Sequence, residues 1–323
     1  MQRRGFCLLL LALWACAGCG QPPRARYVIG MSQCNLGEPW RVQMNADIQA
    51  AAKAQNAKWL AEGGPETRQY SRLIEVIFKD AQNDSLRQAA HVGEFVSDRV
   101  DLIIISPKEA APLTEPVAKA YDAGIPVIVL DRAVLGEKYT CFIGADNTKI
   151  GRAAGRWLVE KLGGKGNVVE LKGLMTSTPG QERHAGFREA IAGTDIQIVF
   201  EADMQWLKPN ARKEMESALA RPDRIDAVYA HNDPGAHGAY LAAKDAGREK
   251  EMLFVGIDAL PHEGITWVKR GELSATFEYP TGGAEAIETA LKILSGQPVP
   301  KKIVLGSRRF TAESVDRGGD PIE

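Results

Sequence analysis

Apolar residues fall in short, β-branched runs along the chain, and polar residues take over abruptly where each run ends. Ile125-Pro126-Val127-Ile128-Val129-Leu130 stops at Asp131-Arg132. Met252-Leu253-Phe254-Val255-Gly256-Ile257 stops at Asp258, and Ala227-Val228-Tyr229-Ala230 precedes Asn232-Asp233. Continuous apolar runs of this length read as strands buried on both faces of a parallel sheet. The pattern predicts strands at Tyr27–Ser32, Leu73–Phe78, Leu102–Ser106, Pro126–Leu130 and Thr140–Gly144. A second set is predicted at Asn167–Leu171, Ile196–Phe200, Ala227–Ala230, Leu253–Ile257 and Leu273–Phe277. Between them lie helical segments, among them Trp40–Leu60, Ser85–Ser97, Ile150–Lys161 and Pro234–Asp245. Such alternation implies βαβ units. Ten strands would be wide for one sheet, so two doubly wound α/β lobes of about five strands each are expected.

In open α/β sheets a ligand binds in the crevice beyond the carboxyl ends of the strands. Asp131, Arg132, Asn232 and Asp258 all stand at such ends. Two acids, an amide and a guanidinium suit the hydroxyls of a small polar molecule. A carboxylate after a strand is also a common helix cap. For Asp233, followed by Pro234, capping is the stronger account. Asp131 is followed by Arg132 rather than a helix, and the helix after Asp258 is expected only near Pro261. Arg183 falls early in a helix, where a cation opposes the dipole unless it serves something else. Trp40 and Trp206 are packing residues or rings that stack on a ligand face.

The N-terminus alters the compartment. Arg3 and Arg4 precede an apolar stretch, Phe6 to Trp14, too short to cross a bilayer, and Ala17-Gly18-Cys19 follows. Residues 1–18 read as a signal peptide whose end resembles a lipobox, with Cys19 as the lipidated residue and 19–26 as a tether. A register centred on Cys16, and a plain cleaved signal, are the alternatives. Removing this segment leaves a chain of two-domain size. Its formal net charge of −1 offers no basic footprint for nucleic acid. Cys34 and Cys141 read as buried, unpaired thiols.

Enzyme and cofactor signatures are missing from the sequence. It has no G-x-S-x-G, no H-E-x-x-H and no P-loop, and the first strand runs into Ser32-Gln33-Cys34-Asn35 rather than a dinucleotide fingerprint. Leu162-Gly163-Gly164-Lys165-Gly166 reads as a turn. The histidines are scattered, so no metal site is expected.

Taken together, several motifs resemble the solute-binding proteins of bacterial ABC sugar importers, in the ribose and galactofuranose group. They are Gly30-Met31-Ser32-Gln33 with Pro39-Trp40-Arg41, Gly124-Ile125-Pro126-Val127 through Asp131-Arg132, and Ala145-Asp146-Asn147 with Gly151. Asn167-Val168-Val169-Glu170-Leu171-Lys172-Gly173, Glu182-Arg183-His184-Ala185-Gly186-Phe187, Ala230-His231-Asn232-Asp233 and Val255-Gly256-Ile257-Asp258 complete the set. The resemblance implies a periplasmic binding protein of type I, with two lobes joined by a three-segment hinge. One lobe would comprise 27–144 with 280–305, the other 145–279 with 306–323. It implies sugar contacts from Asp131, Arg132, Arg183, Asn232 and Asp258, ring platforms at Trp40 and Trp206, and rim contacts at Gln33 and Arg41. Ser106 stands where ribose binders carry an Asn. The choice between Glu278 and Tyr279 for a further contact stays open.

The function so implied is capture of a monosaccharide, without catalysis or cofactor, and delivery to an ABC permease by a monomeric, periplasmic or cell-surface protein. An exported sensor that presents sugar to a membrane kinase or chemoreceptor is the alternative. A repressor of the same fold is disfavoured, because a DNA-binding head of roughly 60 residues would precede the first strand. Asp131→Ala is expected to cost sugar affinity and leave the fold intact.

Overall fold

The computed structural model describes residues 26–63 and 73–322. The signal, the tether and Cys19 lie outside the described residues.

The first sheet contains β1 (Arg26–Gln33), β2 (Leu73–Asp80), β3 (Leu102–Ser106), β4 (Val127–Leu130) and β5 (Cys141–Ala145). Between them run α1 (Pro39–Ala61), α2 (Ser85–Ser97) and α3 (Ala110–Asp122). The chain then crosses to the second sheet. There α4 (Asn147–Leu162), β6 (Lys165–Lys172), α5 (Thr178–Ile191), β7 (Asp195–Asp203) and α6 (Lys208–Leu219) follow in turn. They lead into β8 (Ala227–Ala230), α7 (Asp233–Asp245), β9 (Leu253–Asp258), α8 (Gly264–Lys269) and β10 (Ala275–Glu278). The chain recrosses to place α9 (Gly283–Leu294) against α1 and β11 (Lys302–Leu305) beside β5. A third crossing brings β12 (Arg308–Thr311) and β13 (Asp320–Pro321) to the second sheet.

The strand orders are β11-β5-β4-β3-β1-β2 and β13-β12-β10-β9-β8-β6-β7. Every pairing in the first sheet is parallel. In the second sheet β12 and β13 pair antiparallel. The α/β architecture with two doubly wound sheets is the expected one, but the sheets hold six and seven strands rather than five. The added strands β11, β12 and β13 are two to four residues long, carry charges and are half exposed, so they give at most the three-residue apolar run Ile303-Val304-Leu305.

β3 shows why the runs become strands. All five of its residues are buried. Leu102 and Ile104 face one apolar cluster while Ile103 and Ile105 face another, the two-residue period of a pleated strand. Each buried aliphatic side chain contributes about 1.5–3 kcal/mol. The first of these clusters runs from α1 and α9 to α4 and α5, so apolar packing is continuous between the two lobes. Boundaries follow local chemistry. Asp146 accepts from the Lys149 N–H at 2.9 Å and starts α4 three residues before its apolar face. Gly163 and Gly164, at φ 63° and 78°, form the turn that ends it.

One expected cap is misplaced. Asn232, not Asp233, caps α7, accepting from the Gly235 N–H at 3.0 Å. Asp233 lies inside the first turn, fully buried, and accepts from Ala259 N–H at 2.7 Å and the Thr276 hydroxyl at 2.6 Å. A β-carbon at Gly256 or Gly264 would overlap its carboxylate, so both glycines make its room.

Candidate ligand-binding site

One cavity lies where the strand ends of the two sheets face each other. It is lined by Glu38, Trp40, Arg41, Asp131, Arg132 and Tyr279 together with Pro179, Arg183, Trp206, Asn232 and Asp258. Eight of the ten residues singled out in the sequence are in that wall. Gln33 and Ser106 are not. Gln33 is buried behind it, with its amide on Asn45 and Met44. Ser106 is buried too, and its hydroxyl bonds Arg41 at 2.7 Å and Asp131 at 3.0 Å.

Asp131 is the centre of the first side. It follows β4 with φ 70°, a left-handed conformation that few residue types besides Gly, Asn and Asp adopt readily. Its carboxylate pairs with Arg41 Nη1 at 2.6 Å and accepts the Tyr279 hydroxyl at 2.8 Å. Arg132 Nε stands 3.7 Å away. Burial pushes the Asp131 carboxyl up, but Arg41 and Arg132 outweigh it and hold it below the usual carboxylate range. Burial likewise disfavours the Arg41 cation, and Asp131 more than compensates. Trp40 is buried, donates its indole N–H to the Tyr279 carbonyl at 2.8 Å and stacks on the Tyr279 ring at 5.2 Å.

Arg183 organises the second side. Its Nε bonds Asn147 Oδ1 at 2.9 Å, its Nη1 donates to the His231 carbonyl, and Asp258 lies 3.8 Å away. Packing sets its position closely. A β-carbon at Gly151 on α4 would overlap the Arg183 carbonyl, and one at Gly186 would overlap the Thr148 carbonyl. Asn232 both caps α7 and donates to the Trp206 carbonyl at 3.0 Å. Trp206 and Asp258 both have positive φ, 67° and 132°, as does Ala259 at 55°. Such strain gathers at sites where the surroundings fix an unusual backbone. Burial raises the Asp258 carboxyl well above its ordinary range, against the pull of Arg183 and with added repulsion from Asp233.

The guanidinium groups of Arg132 and Arg183 lie 5.5 and 5.4 Å from the Trp206 ring, within cation–π range. The cavity therefore opens only about 20 Å³ to the centre of a water, room for about one. A larger ligand must move these arginines or part the lobes. Among the described residues, Arg41 Nε, Arg132 Nε and Trp206 Nε1 are buried without a hydrogen-bond acceptor. Three buried donors without a hydrogen bond, all on residues of the cavity wall, can serve the oxygens of a polyhydroxylated ligand.

Glu38 and Pro179 line the cavity without having been singled out in the sequence, and Tyr279, one of two candidates there, lines it too. Tyr279 also lines a groove beside the crossing between β10 and α9, whereas Glu278 lines only the groove. Tyr279 follows the last residue of β10, where the chain leaves the strand, and sequence alone does not fix which side chain there reaches the ligand. Burial and Asp131 push the Tyr279 phenol well above its usual range, so it stays a donor at neutral pH.

A supporting network lies behind Asn232. Glu170 is fully buried and holds His184 at 2.8 Å, Arg188 at 2.9 Å and His231 at 3.1 Å. Burial opposes its charge, but the bonds from both histidines bring its carboxyl down to about 2. Cys34 and Cys141 are both buried and free. Among the described residues no group of three or more Cys, His, Asp or Glu is arranged to hold a metal ion, and no helix is long and apolar enough to cross a membrane.

The model of the periplasmic binding protein domain matches residues 29–298. The galactofuranose-binding protein of Escherichia coli strain K12 is 31% identical over 309 residues, 92% of this chain and 92% of that protein. Among solved structures, the fructose-binding periplasmic domain of a hybrid two-component system is 44% identical, with a TM-score of 0.82 over 90% of this chain and 93% of that one. The binding protein of an arabinose ABC transporter from Shewanella sp. ANA-3, bound to α- and β-L-arabinofuranose, is 28% identical, with a TM-score of 0.81 and coverage of 90% and 93%.

Proposed function

The chain belongs to the periplasmic binding protein domain family, and from that premise we propose that it is an exported receptor that captures a neutral monosaccharide between its lobes for an ABC permease. The observation that carries this reading is the composition of the cavity wall. Arg41, Arg132 and Arg183 face Glu38, Asp131 and Asp258, so guanidinium donors alternate with carboxyl groups and a hydroxyl-rich ligand fits better than an ion of either sign. Trp40 and Trp206 supply apolar surface for the ring faces, while Asp131, Asn232 and Asp258 accept and the arginines donate around the edge. The ligands named for the relatives point to a furanose-forming sugar such as fructose, arabinose or galactofuranose. Its binding would be the whole function, with no turnover of the sugar.

A second reading has its own support. The relative at 44% identity is a domain of a two-component system, and on this reading the ligand is presented to a membrane kinase instead of a permease. The same clamshell serves both. In either case the signal at 1–18 would export the chain, and Cys19 would carry the lipid that holds it at a membrane.

A thermal-shift screen of the mature protein against pentoses and hexoses tests the ligand class, since a ligand that binds only the native state raises its stability by mass action. Calorimetry then ranks fructose, arabinose and galactofuranosides against glucose. No binding to any monosaccharide would refute the proposal. Co-purification with a permease or with a kinase separates the two roles. Cys19→Ser should release the protein from membranes.

A further inference from the structure

Tyr279 stands on the crossing between β10 and α9 and touches functional side chains of both lobes. Its hydroxyl donates to Asp131 Oδ1 at 2.8 Å and lies 3.1 Å from the Asp131 carbonyl. The same hydroxyl is 3.5 Å from Asn147 Nδ2, and Asn147 in turn holds Arg183. One side of the ring stacks on Trp40, and the Arg183 guanidinium lies 4.5 Å from the ring centroid. The main-chain carbonyl accepts the Trp40 indole N–H. One side chain thus links the carboxylate and the indole of the first lobe to the arginine of the second, at a segment that must bend if the lobes part.

We propose that Tyr279 is the coupling residue of the receptor: its hydroxyl positions Asp131 for a sugar hydroxyl, and its ring receives Arg183 when the lobes close. The two functions are chemically separable. Asp131 Oδ2 is already engaged by Arg41 and Ser106, so the Tyr279 hydroxyl is what fixes the rotation of Oδ1. The ring offers Arg183 a π face whether or not the hydroxyl is there. Closure then seats Arg183 on a prepared surface, which biases the open–closed equilibrium toward the liganded form.

The inference rests on the monosaccharide reading, and its test keeps the two apart. Parent, Tyr279→Phe, Tyr279→Leu, Asp131→Asn and the Tyr279→Phe/Asp131→Asn double variant are compared, with D-fructose as the first probe. Calorimetry gives affinity, small-angle scattering gives the radius of gyration with and without saturating sugar, and urea melts without sugar give stability. Tyr279→Phe should weaken binding about tenfold, the loss of one hydrogen bond to a charged group, yet compact fully at saturation. In the Asp131→Asn background the same change should cost little, because the hydroxyl acts through that carboxylate. Tyr279→Leu should weaken binding further and compact less. Unchanged affinity in Tyr279→Phe, losses that simply multiply in the double variant, or full compaction of Tyr279→Leu would each overturn the proposal. A parent that binds no monosaccharide refutes the proposed function instead. The sugar-free melts then decide the Tyr279–Asp131 coupling: non-additive losses support it and additive ones refute it.

Discussion

Asp131→Ala is the perturbation on which sequence and structure give different expectations. A crevice carboxylate reserved for ligand could be removed without harm to the fold. Asp131 is instead a buried hub that holds Arg41 at 2.6 Å, the Ser106 hydroxyl at 3.0 Å and the Tyr279 hydroxyl at 2.8 Å. Its removal leaves the buried Arg41 cation with the Ser106 hydroxyl at 2.7 Å and the Glu38 carboxylate no nearer than 3.9 Å. Breaking one side of a buried pair costs about 3–5 kcal/mol. For lobes of this size that is a fall in Tm of roughly 6–20 °C. Sugar affinity falls as well, by about ten- to a hundredfold for one lost charge-assisted bond. The assay is urea or thermal unfolding of parent and variant without sugar, followed by calorimetry below the variant's transition. The double variant Arg41→Met/Asp131→Asn should recover part of the stability and none of the affinity, since it removes the Arg41 charge along with its partner and keeps at 131 a residue that tolerates the left-handed backbone. The sign with pH follows from the depressed Asp131 carboxyl. Its contribution is present above the unfolded carboxyl range, near pH 4, and is lost as pH falls through the lower folded value. A sugar-free stability for Asp131→Ala within about 1 kcal/mol of the parent would refute this reasoning and return Asp131 to a role in ligand binding alone.

Other outcomes follow from the same geometry. Arg183→Ala should weaken sugar binding and blunt the ligand-induced fall in radius of gyration; full compaction at saturation would limit Arg183 to affinity. Gly151→Ala should push α5 away and reduce sugar affinity although residue 151 lies outside the cavity wall, whereas calorimetry matching the parent would mean the helices absorb the methyl without moving Arg183. Glu170→Gln should destabilise the second lobe, and the parent should lose the Glu170 contribution only as pH falls from the usual carboxylate range toward about 2, as acid titration of the unfolding transition would reveal. Cys34 and Cys141, buried with thiols raised chiefly by burial, should resist iodoacetamide in the native state and react on unfolding, as mass spectrometry of the labelled chain would report.

The sequence by itself determined the architecture and most of the cavity wall. Doubly buried strands must be continuous apolar runs, so β3 and β8 are read to the residue, and the polar residues that interrupt such runs sit at strand ends where the crevice lies. This is why Asp131, Arg132, Asn232 and Asp258 were legible, and why Trp40 and Arg183, bound to fixed positions in helices, came with them. What tertiary structure alone decided has a different physical basis. Short strands such as β12 and the edge strand β13 bury few residues and leave no apolar signature. Gln33 and Ser106 are polar residues at strand ends like the others, yet they point to Asn45 and Arg41 rather than into the cavity. Tyr279 follows directly after β10, and it reaches the cavity through partners far along the chain, Trp40 and Asp131. Asn232 rather than Asp233 caps α7 because Gly256 and Gly264, distant in the chain, make room for the Asp233 carboxylate. Each of these depends on a partner far along the chain, and local pattern carries no information about which side chain will be waiting there.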